Sequence, residues 1–526
     1  MSKIKRPWLW AALSVLLITA CGLGAWYLIQ TGILRAGIPA PAPSNEAAPP
    51  QPATEQEEPP DSTDLPEDAF ALRGVIEGFY GEPWTHQQRL DMLLFMARHR
   101  YNTYVYAPKD DPYQRKMWSA LYPPDKLEAM RSLAETAAAN NIRFVYSISP
   151  GLPVPLSTEK QTPEWEPASI TFSSREDRDR LEAKLDQLRS IGIHTFMLSF
   201  DDIQERLKAA DKAVYGSDYA AAHMELANEL LQRQKSKDPG FQLWFAPTVY
   251  RGIKDHPYWA ELRKKLDPSI EVIWTGERVL SKTITSAQAD LAAGFLGRKP
   301  LIWDNYPVND YTYTMYKAPQ LFLGPLENRS ADLAKHTAGF LSNPMVQPES
   351  SKIALATIAA YLTGPQSYNP QTAWDKALLQ MEGIGDPAAF RAFASYSREN
   401  EFQAVGNPQF QTLAQAYWKE QDPQAKQVRA DRLRQELKMV AGLPSRLNLT
   451  IHNTRLLEEI GPWINKLGQA GELALLTLDY TLLPEDNPEK KERLRTLRDR
   501  WNKLHAIPNR IGPEITAFIE QALGKP

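Results

Sequence analysis

The sequence predicts an α/β chain: a closed (β/α)8 TIM barrel followed by an all-α helical bundle, with an N-terminal transmembrane anchor and a disordered linker ahead of them. Three observations lead there. Short apolar runs alternate with amphipathic stretches between Leu72 and Ser342; beyond about Leu362 the strand pattern gives way to long helical periods; and an uncharged run near the N-terminus precedes a proline-rich acidic stretch. With 526 residues, 43% of them hydrophobic, the chain can hold several domains of roughly 100–200 residues each. A net charge of -3 leaves no basic excess to neutralise phosphates, which argues against a nucleic-acid partner. The one cysteine, Cys21, allows neither an internal disulfide nor a cysteine-based zinc site. The 14 Trp and 21 Tyr supply aromatic faces, which suit sugar rings as well as cores.

Trp8 to Ile29 carries no charge and, as a helix rising about 1.5 Å per residue, is long enough to span a bilayer. Lys3, Lys5 and Arg6 precede it, so the positive-inside rule keeps the N-terminus cytoplasmic and sends the chain after Arg35 across the membrane. A lipoprotein signal competes, because Ile18-Thr19-Ala20-Cys21 resembles a lipobox with Cys21 as the lipidated residue. The apolar run continues past Cys21 through Trp26-Tyr27-Leu28-Ile29, which favours the uncleaved anchor. Either way the bulk of the chain is expected outside the cytoplasm. Residues 36–69 form the linker: Gly37 to Pro66 holds nine prolines and no Lys or Arg, too little apolar surface to offset ordering entropy.

The barrel is expected over residues 70–365. Candidate strands are Leu72 to Phe79, Thr103 to Ala107, Ile142 to Ser149, His194 to Phe200, Phe241 to Ala246, Glu271 to Thr275, Pro300 to Trp303 and Gly339 to Ser342. Between them, Leu90, Leu93, Leu94 and Ala97 keep a 3.6-residue period behind a Thr85/Gln88 capping box, as do Leu181, Leu185 and Leu188 before the fourth strand. Strict alternation argues a parallel sheet with right-handed crossovers, most simply closed. An open doubly wound sheet is the alternative, although no GxGxxG or phosphate-loop motif follows a strand. Residues 366–526 are expected to form the bundle, with long helices at Lys426 to Ala441, Leu456 to Leu476 and Lys490 to Leu504.

Polar residues collect at the C-terminal ends of the strands, where a barrel enzyme needs them. Glu77-Gly78-Phe79-Tyr80, Lys109-Asp110-Asp111, Asp201-Asp202, Thr248 to Tyr250 and Trp303 to Asp310 would bring carboxylates, an amine, amides and aromatics to one rim. That set suits acid/base work on a polyhydroxylated ring. No cofactor motif is evident, and the eight histidines have no metal-ligand spacing.

Seven stretches then carry a resemblance: Arg73 to Trp84 (RGVIEGFYGEPW), Tyr106 to Asp111, Leu198 to Ile203, Pro247 to Tyr250, Trp274-Thr275-Gly276, Trp303 to Asp310 and Asn343-Pro344. In these, and in their order, the sequence resembles the glycoside hydrolase family 84 β-N-acetylglucosaminidases, the family of the O-GlcNAcases. The resemblance covers roughly Leu72 to Leu362. It implies a barrel followed by a helical domain, and departs from the family at Glu82, often basic there, and Val249, often Glu. Bacterial relatives often carry a small α/β domain ahead of the barrel, where this chain has the expected anchor and linker.

The resemblance implies retaining, exo-acting hydrolysis of terminal β-linked GlcNAc, assisted by the substrate's own 2-acetamido group through an oxazoline, with no cofactor. Asp201 would orient the acetamido N–H. Asp202 would act as general acid and then base, its pKa raised by ionised Asp201. Tyr250 and Asn305 would contact the acetamido group; Gly78 (by its backbone), Lys109, Asp310 and Asn343 would bind sugar hydroxyls; Trp303 would wall the pocket. Each has a plainer competitor. An Asp-Asp pair is usually a solvated turn, Lys109 an ordinary surface lysine, Asn305, Asp310 and Asn343 turn residues, and Trp303 barrel core. The expected partner is a GlcNAc-containing glycan or glycoconjugate, with the membrane as a second contact. An endo-acting hyaluronidase-like hydrolase and a non-catalytic glycan binder remain alternatives.

Overall fold

Eight short strands carry the molecule's centre: β1 (Arg73–Glu77), β2 (Thr103–Tyr106), β3 (Arg143–Ile148), β4 (Thr195–Ser199), β5 (Gln242–Ala246), β6 (Glu271–Trp274), β7 (Leu301–Asp304) and β8 (Gly339–Ser342). A computed structural model describes residues 65–151, 165–398 and 406–524. The expected anchor at Trp8 to Ile29, Cys21 and the linker up to residue 64 lie outside the described residues. Among the described residues, no helix is long and apolar enough to cross a membrane.

Each strand pairs in parallel with the next, and β1 closes on β8 with Arg73 opposite Phe340 and Val75 opposite Ser342. The open-sheet alternative is thereby excluded. Both faces of every strand are covered, so the strands read as apolar runs instead of alternating ones. Ile76, Val105, Val145, Met197, Trp244, Ile273, Leu301, Trp303 and Leu341 fill the barrel. Their neighbours on the other face, such as Val75, Tyr104, Phe196 and Ile302, pack beneath the helices.

The helix His86–Arg98 starts with the expected capping box, the amide of Gln88 donating to Thr85 Oγ1 at 3.3 Å and the amide of Thr85 to Gln88 Oε1 at 2.7 Å. Its buried face differs from the expected one. Arg89, Met92, Leu93 and Met96 face inward, while Leu94 is 48% exposed. Arg89 on that face donates to both oxygens of Glu77, at the end of β1, at 2.8 Å, so the inward face accommodates a buried ion pair as well as apolar residues. Leu181, Leu185 and Leu188 are buried as expected, on the helix Arg175–Arg189.

The helix Pro348–Thr363 follows β8 as the barrel's last, and beyond it come helices at Pro370–Leu379, Pro387–Ser395, Pro408–Lys419, Pro423–Thr450, Thr454–Thr481, Lys490–His505 and Pro513–Leu523. The helix Pro423–Thr450 runs through Pro444, past the expected end near Ala441. Tertiary packing holds it: a Cβ on Gly468 of the neighbouring helix would lie 2.3 Å from the Pro444 ring, so only glycine admits the proline there. The charge-rich stretch from Glu489 to Lys503 is a largely exposed helix, pinned by Leu497, Trp501 and Leu504.

Candidate active site

Strand alternation sorts the polar residues at the rim. Ile76 points into the barrel, so Gly78 follows it inward and Glu77 turns out; Trp303 points in and Asp304 out. Glu77 is held by Arg89, by the Tyr104 hydroxyl and by the Trp84 amide. Asp304 makes a two-pronged pair with Arg329 at 2.7 and 2.8 Å. Asp111 accepts from the hydroxyls of Tyr106 and Tyr122, each at 2.8 Å. These three carboxylates, at the rim as expected, are occupied in bracing it.

The other rim residues do converge. Gly78, Tyr80, Lys109, Asp201, Asp202, Tyr250, Trp303, Asn305, Asp310 and Asn343 line one cavity of about 340 Å³, together with apolar residues including Leu280, Tyr311 and Met315. Every residue singled out from the sequence is among them. A volume near the low end of small-molecule sites suits one sugar ring and the start of its substituent.

Asp201 and Asp202 are consecutive, and an extended strand would aim them to opposite faces. The backbone turns left-handed at Asp202 (φ +51°), and both line the cavity. A non-glycine residue in that conformation costs roughly 1–2 kcal/mol. Asp201, 5% exposed, is ion-paired through Oδ2 to Lys109; its Oδ1 is buried with no hydrogen-bond partner. Asp202 accepts from Tyr250 at 2.9 Å and from Tyr80 at 3.0 Å.

Burial is the largest single influence on Asp202 and acts to raise its pKa, but the Lys109 charge, the Tyr250 hydroxyl, Arg115 and the Tyr80 hydroxyl together hold it below the ordinary carboxylate range. This differs from the expectation that ionised Asp201 raises it: the two cations and the two hydroxyls outweigh burial. Burial pushes Asp310 up to about 6, against hydrogen bonds donated by the amides of Tyr80 (2.8 Å) and Tyr311 (2.7 Å).

A chain of amides crosses the floor. The Gly78 amide donates to Asn343 Oδ1 at 3.2 Å, Asn343 donates to Asn305 Oδ1 at 2.8 Å, and Asn305 donates to the Val279 carbonyl at 2.8 Å. Trp303 belongs both to the barrel core and to the cavity wall, and its Nε1 is buried without a partner. A Cβ on Gly78 would lie 2.4 Å from that indole, which explains the glycine. Two residues that touch this network were not singled out from the sequence. Tyr80 sits inside a quoted motif but next to stronger candidates. Arg115 lies in a polar loop where nothing marks it, and its Nη1 donates to the Tyr80 hydroxyl at 3.4 Å. Among the described residues, no group of His, Cys, Asp and Glu is arranged to hold a metal ion.

The profile of the β-N-acetylglucosaminidase family matches residues 73–395, more than half of the chain and all eight strands. The chain belongs to that family. A solved structure of an O-GlcNAc hydrolase mutant from Thermobaculum terrenum is similar at 30% identity and a TM-score of 0.77, covering 86% of this chain and 94% of that one. Protein O-GlcNAcases of Rattus norvegicus and Mus musculus are each 36% identical over 296 residues, 55% of this chain. The matched region spans only 30% of those two relatives' length. The family places this chain among the glycoside hydrolases.

Proposed function

We propose that the protein is a retaining exo-β-N-acetylglucosaminidase that removes terminal β-linked GlcNAc with help from the substrate's acetamido group. The observation that carries this reading is Asp201 Oδ1, a buried acceptor with no donor, beside a second carboxylate held between two tyrosine hydroxyls. An unsatisfied buried acceptor costs roughly 1–3 kcal/mol, and a ligand N–H would relieve it. The acetamido N–H is such a donor. With the amide held there, its carbonyl oxygen attacks the anomeric carbon, the bond to the aglycone oxygen breaks, and Asp202 gives that oxygen its proton. Water then opens the oxazoline at the anomeric carbon and returns a proton to Asp202.

The surrounding cations and hydroxyls hold Asp202 toward the carboxylate, and the proposed reaction needs it to gain a proton as substrate binds. A sugar that fills the cavity excludes water and draws the Tyr250 hydroxyl to the acetamido oxygen. Removing that donor raises the pKa of Asp202. Asn305 would share the acetamido contact, while Lys109, Asp310, Asn343 and the backbone of Gly78 would bind sugar hydroxyls against Trp303.

An endo-acting enzyme on a uronate-containing polymer fits less well. The cavity lining carries one cation, Lys109, against Asp201, Asp202 and Asp310. A non-catalytic binder gains nothing from two adjacent carboxylates turned into one cavity. The uncharged run from Trp8 to Ile29 supports a membrane-anchored protein with its hydrolase domain outside the cytoplasm, acting on GlcNAc-containing glycans there. The test is hydrolysis of aryl β-GlcNAc substrates. Asp202→Asn should lower kcat at least about 100-fold for poor leaving groups and far less for activated ones, the size of a lost general acid. Asp201→Asn should slow both classes alike. Equal losses across leaving groups in both variants would refute the division of roles.

A further inference from the structure

Arg115 is 7% exposed, and its guanidinium carbon sits 5.5 Å from the centre of the Tyr80 ring. Among the described residues no carboxylate lies within ion-pair distance of it. Nη1 reaches the Tyr80 hydroxyl at 3.4 Å, while Nε and Nη2 are buried with no partner. Burying a cation in this state costs several kcal/mol, and a residue needed only for packing would carry no charge. The Tyr80 hydroxyl in turn donates to Asp202 Oδ2 at 3.0 Å. Arg115 does not line the cavity, so any effect on the reaction passes through what it touches.

We propose that Arg115 is a positioning residue for this reaction: through the Tyr80 hydroxyl it orients Asp202 and biases it toward the carboxylate. The inference rests on Asp202 being the acid/base. An arginine donating to Tyr80 polarises the phenol and makes it a stronger donor to the carboxyl behind it. In the first half of the reaction that bias makes Asp202 a stronger acid toward the leaving oxygen. Among the described residues six groups act on or adjoin Asp202: Tyr80 from the loop after β1, Lys109 and Arg115 from the loop after β2, Asp201 beside it, Tyr250 after β5, and Asp310 after β7. Among these, only Lys109 and Arg115 carry positive charge, and Lys109 is already paired with Asp201.

The test follows the protonation of Asp202 directly, by isotope-edited infrared titration of the full chain labelled with 13C at the aspartate carboxyl, with Asp202→Asn as the subtraction. Arg115→Met and Tyr80→Phe should each raise the midpoint by about one pH unit, toward the range a nearby opposite charge spans. Arg115→Lys, which keeps the charge, should stay near the parent, and the double variant should move no further than either single one. The alkaline limb of kcat/KM on an aryl β-GlcNAc should follow the same order. Should Arg115→Met fail to fold, Tyr80→Phe, which loses one hydroxyl, carries the test alone. A midpoint unmoved in Tyr80→Phe, additive shifts in the double variant, or Arg115→Lys behaving like Arg115→Met would overturn the proposal. Because the infrared midpoint needs no turnover, a protein inactive on aryl β-GlcNAc would refute the hydrolase reading and leave this one to be judged by its midpoints.

Discussion

A single methyl group at Gly78 would reshape the cavity. The Cβ would meet the Trp303 indole at 2.4 Å, and the barrel core beneath leaves that ring only the cavity to move into. Gly78→Ala is expected to cost about 1–3 kcal/mol of stability, the usual range for overpacking. Its kcat/KM should fall at least about tenfold, mainly through KM; a KM equal to the parent's would show that the ring does not wall the sugar site. The residues that line this cavity were named from the sequence because the motifs that carry the family resemblance lie at and just beyond the ends of the apolar strands. Arg115 was not, because its role depends on a loop path that no periodicity encodes. The protonation of Asp202 was misread for a related reason. Adjacency to Asp201 is visible in sequence, whereas Lys109, Arg115 and the two tyrosines reach it from other strands.

Between elements, Glu459 joins the helical region to the barrel's last helix. From the helix Thr454–Thr481 it accepts hydrogen bonds from the amides of Glu349 (3.0 Å) and Ser350 (2.7 Å) and from the Ser350 hydroxyl (2.8 Å), in the first turn of Pro348–Thr363. Burial outweighs these donors and pushes its carboxyl up to about 7. A folded-state value raised above the unfolded one means a stabilising contribution complete below about pH 4.5 and lost as pH rises through about 7. Glu459→Gln turns an amide NH2 toward backbone donors and should cost about 1–3 kcal/mol. Thermal melts should show that cost larger at pH 5 than at pH 8; a cost that grows with pH would contradict the burial argument. At this scale the strands and the three long bundle helices were legible. The rotation of the helix His86–Arg98 was not, because the apolar period does not include Arg89, which is buried against Glu77.

Across the molecule, the helical region supports the rim. The Pro319 carbonyl accepts from the Arg510 amide at 2.7 Å and from Trp463 Nε1 at 3.3 Å, and the Leu323 amide donates to the Ser397 carbonyl at 2.9 Å. These bonds fix the segment that follows Met315 and Tyr316 at the cavity mouth. At the other end Phe70 is buried, its amide donating to the Leu362 carbonyl at 2.9 Å and its ring lying 5.5 Å from that of Tyr361. A fragment of residues 65–526 should therefore fold without detergent. One starting at Arg73 should lose stability on the scale of a deleted core phenylalanine, about 3–5 kcal/mol. Equal melting temperatures for the two would show that Phe70 is not part of the barrel core.

In the proposed reaction the acetamido oxygen of the substrate, and no protein atom, attacks the anomeric carbon. Replacing the N-acetyl methyl hydrogens one at a time by fluorine drains electron density from that oxygen with little added bulk. The most direct measurement is kcat/KM for aryl β-GlcNAc substrates bearing zero to three fluorines, with the first-formed anomer read by proton NMR. The account predicts a monotonic fall with fluorine count and a β product, since two inversions restore the configuration. A flat series, an α product, or a glycosyl ester trapped on Asp201 or Asp202 would contradict it.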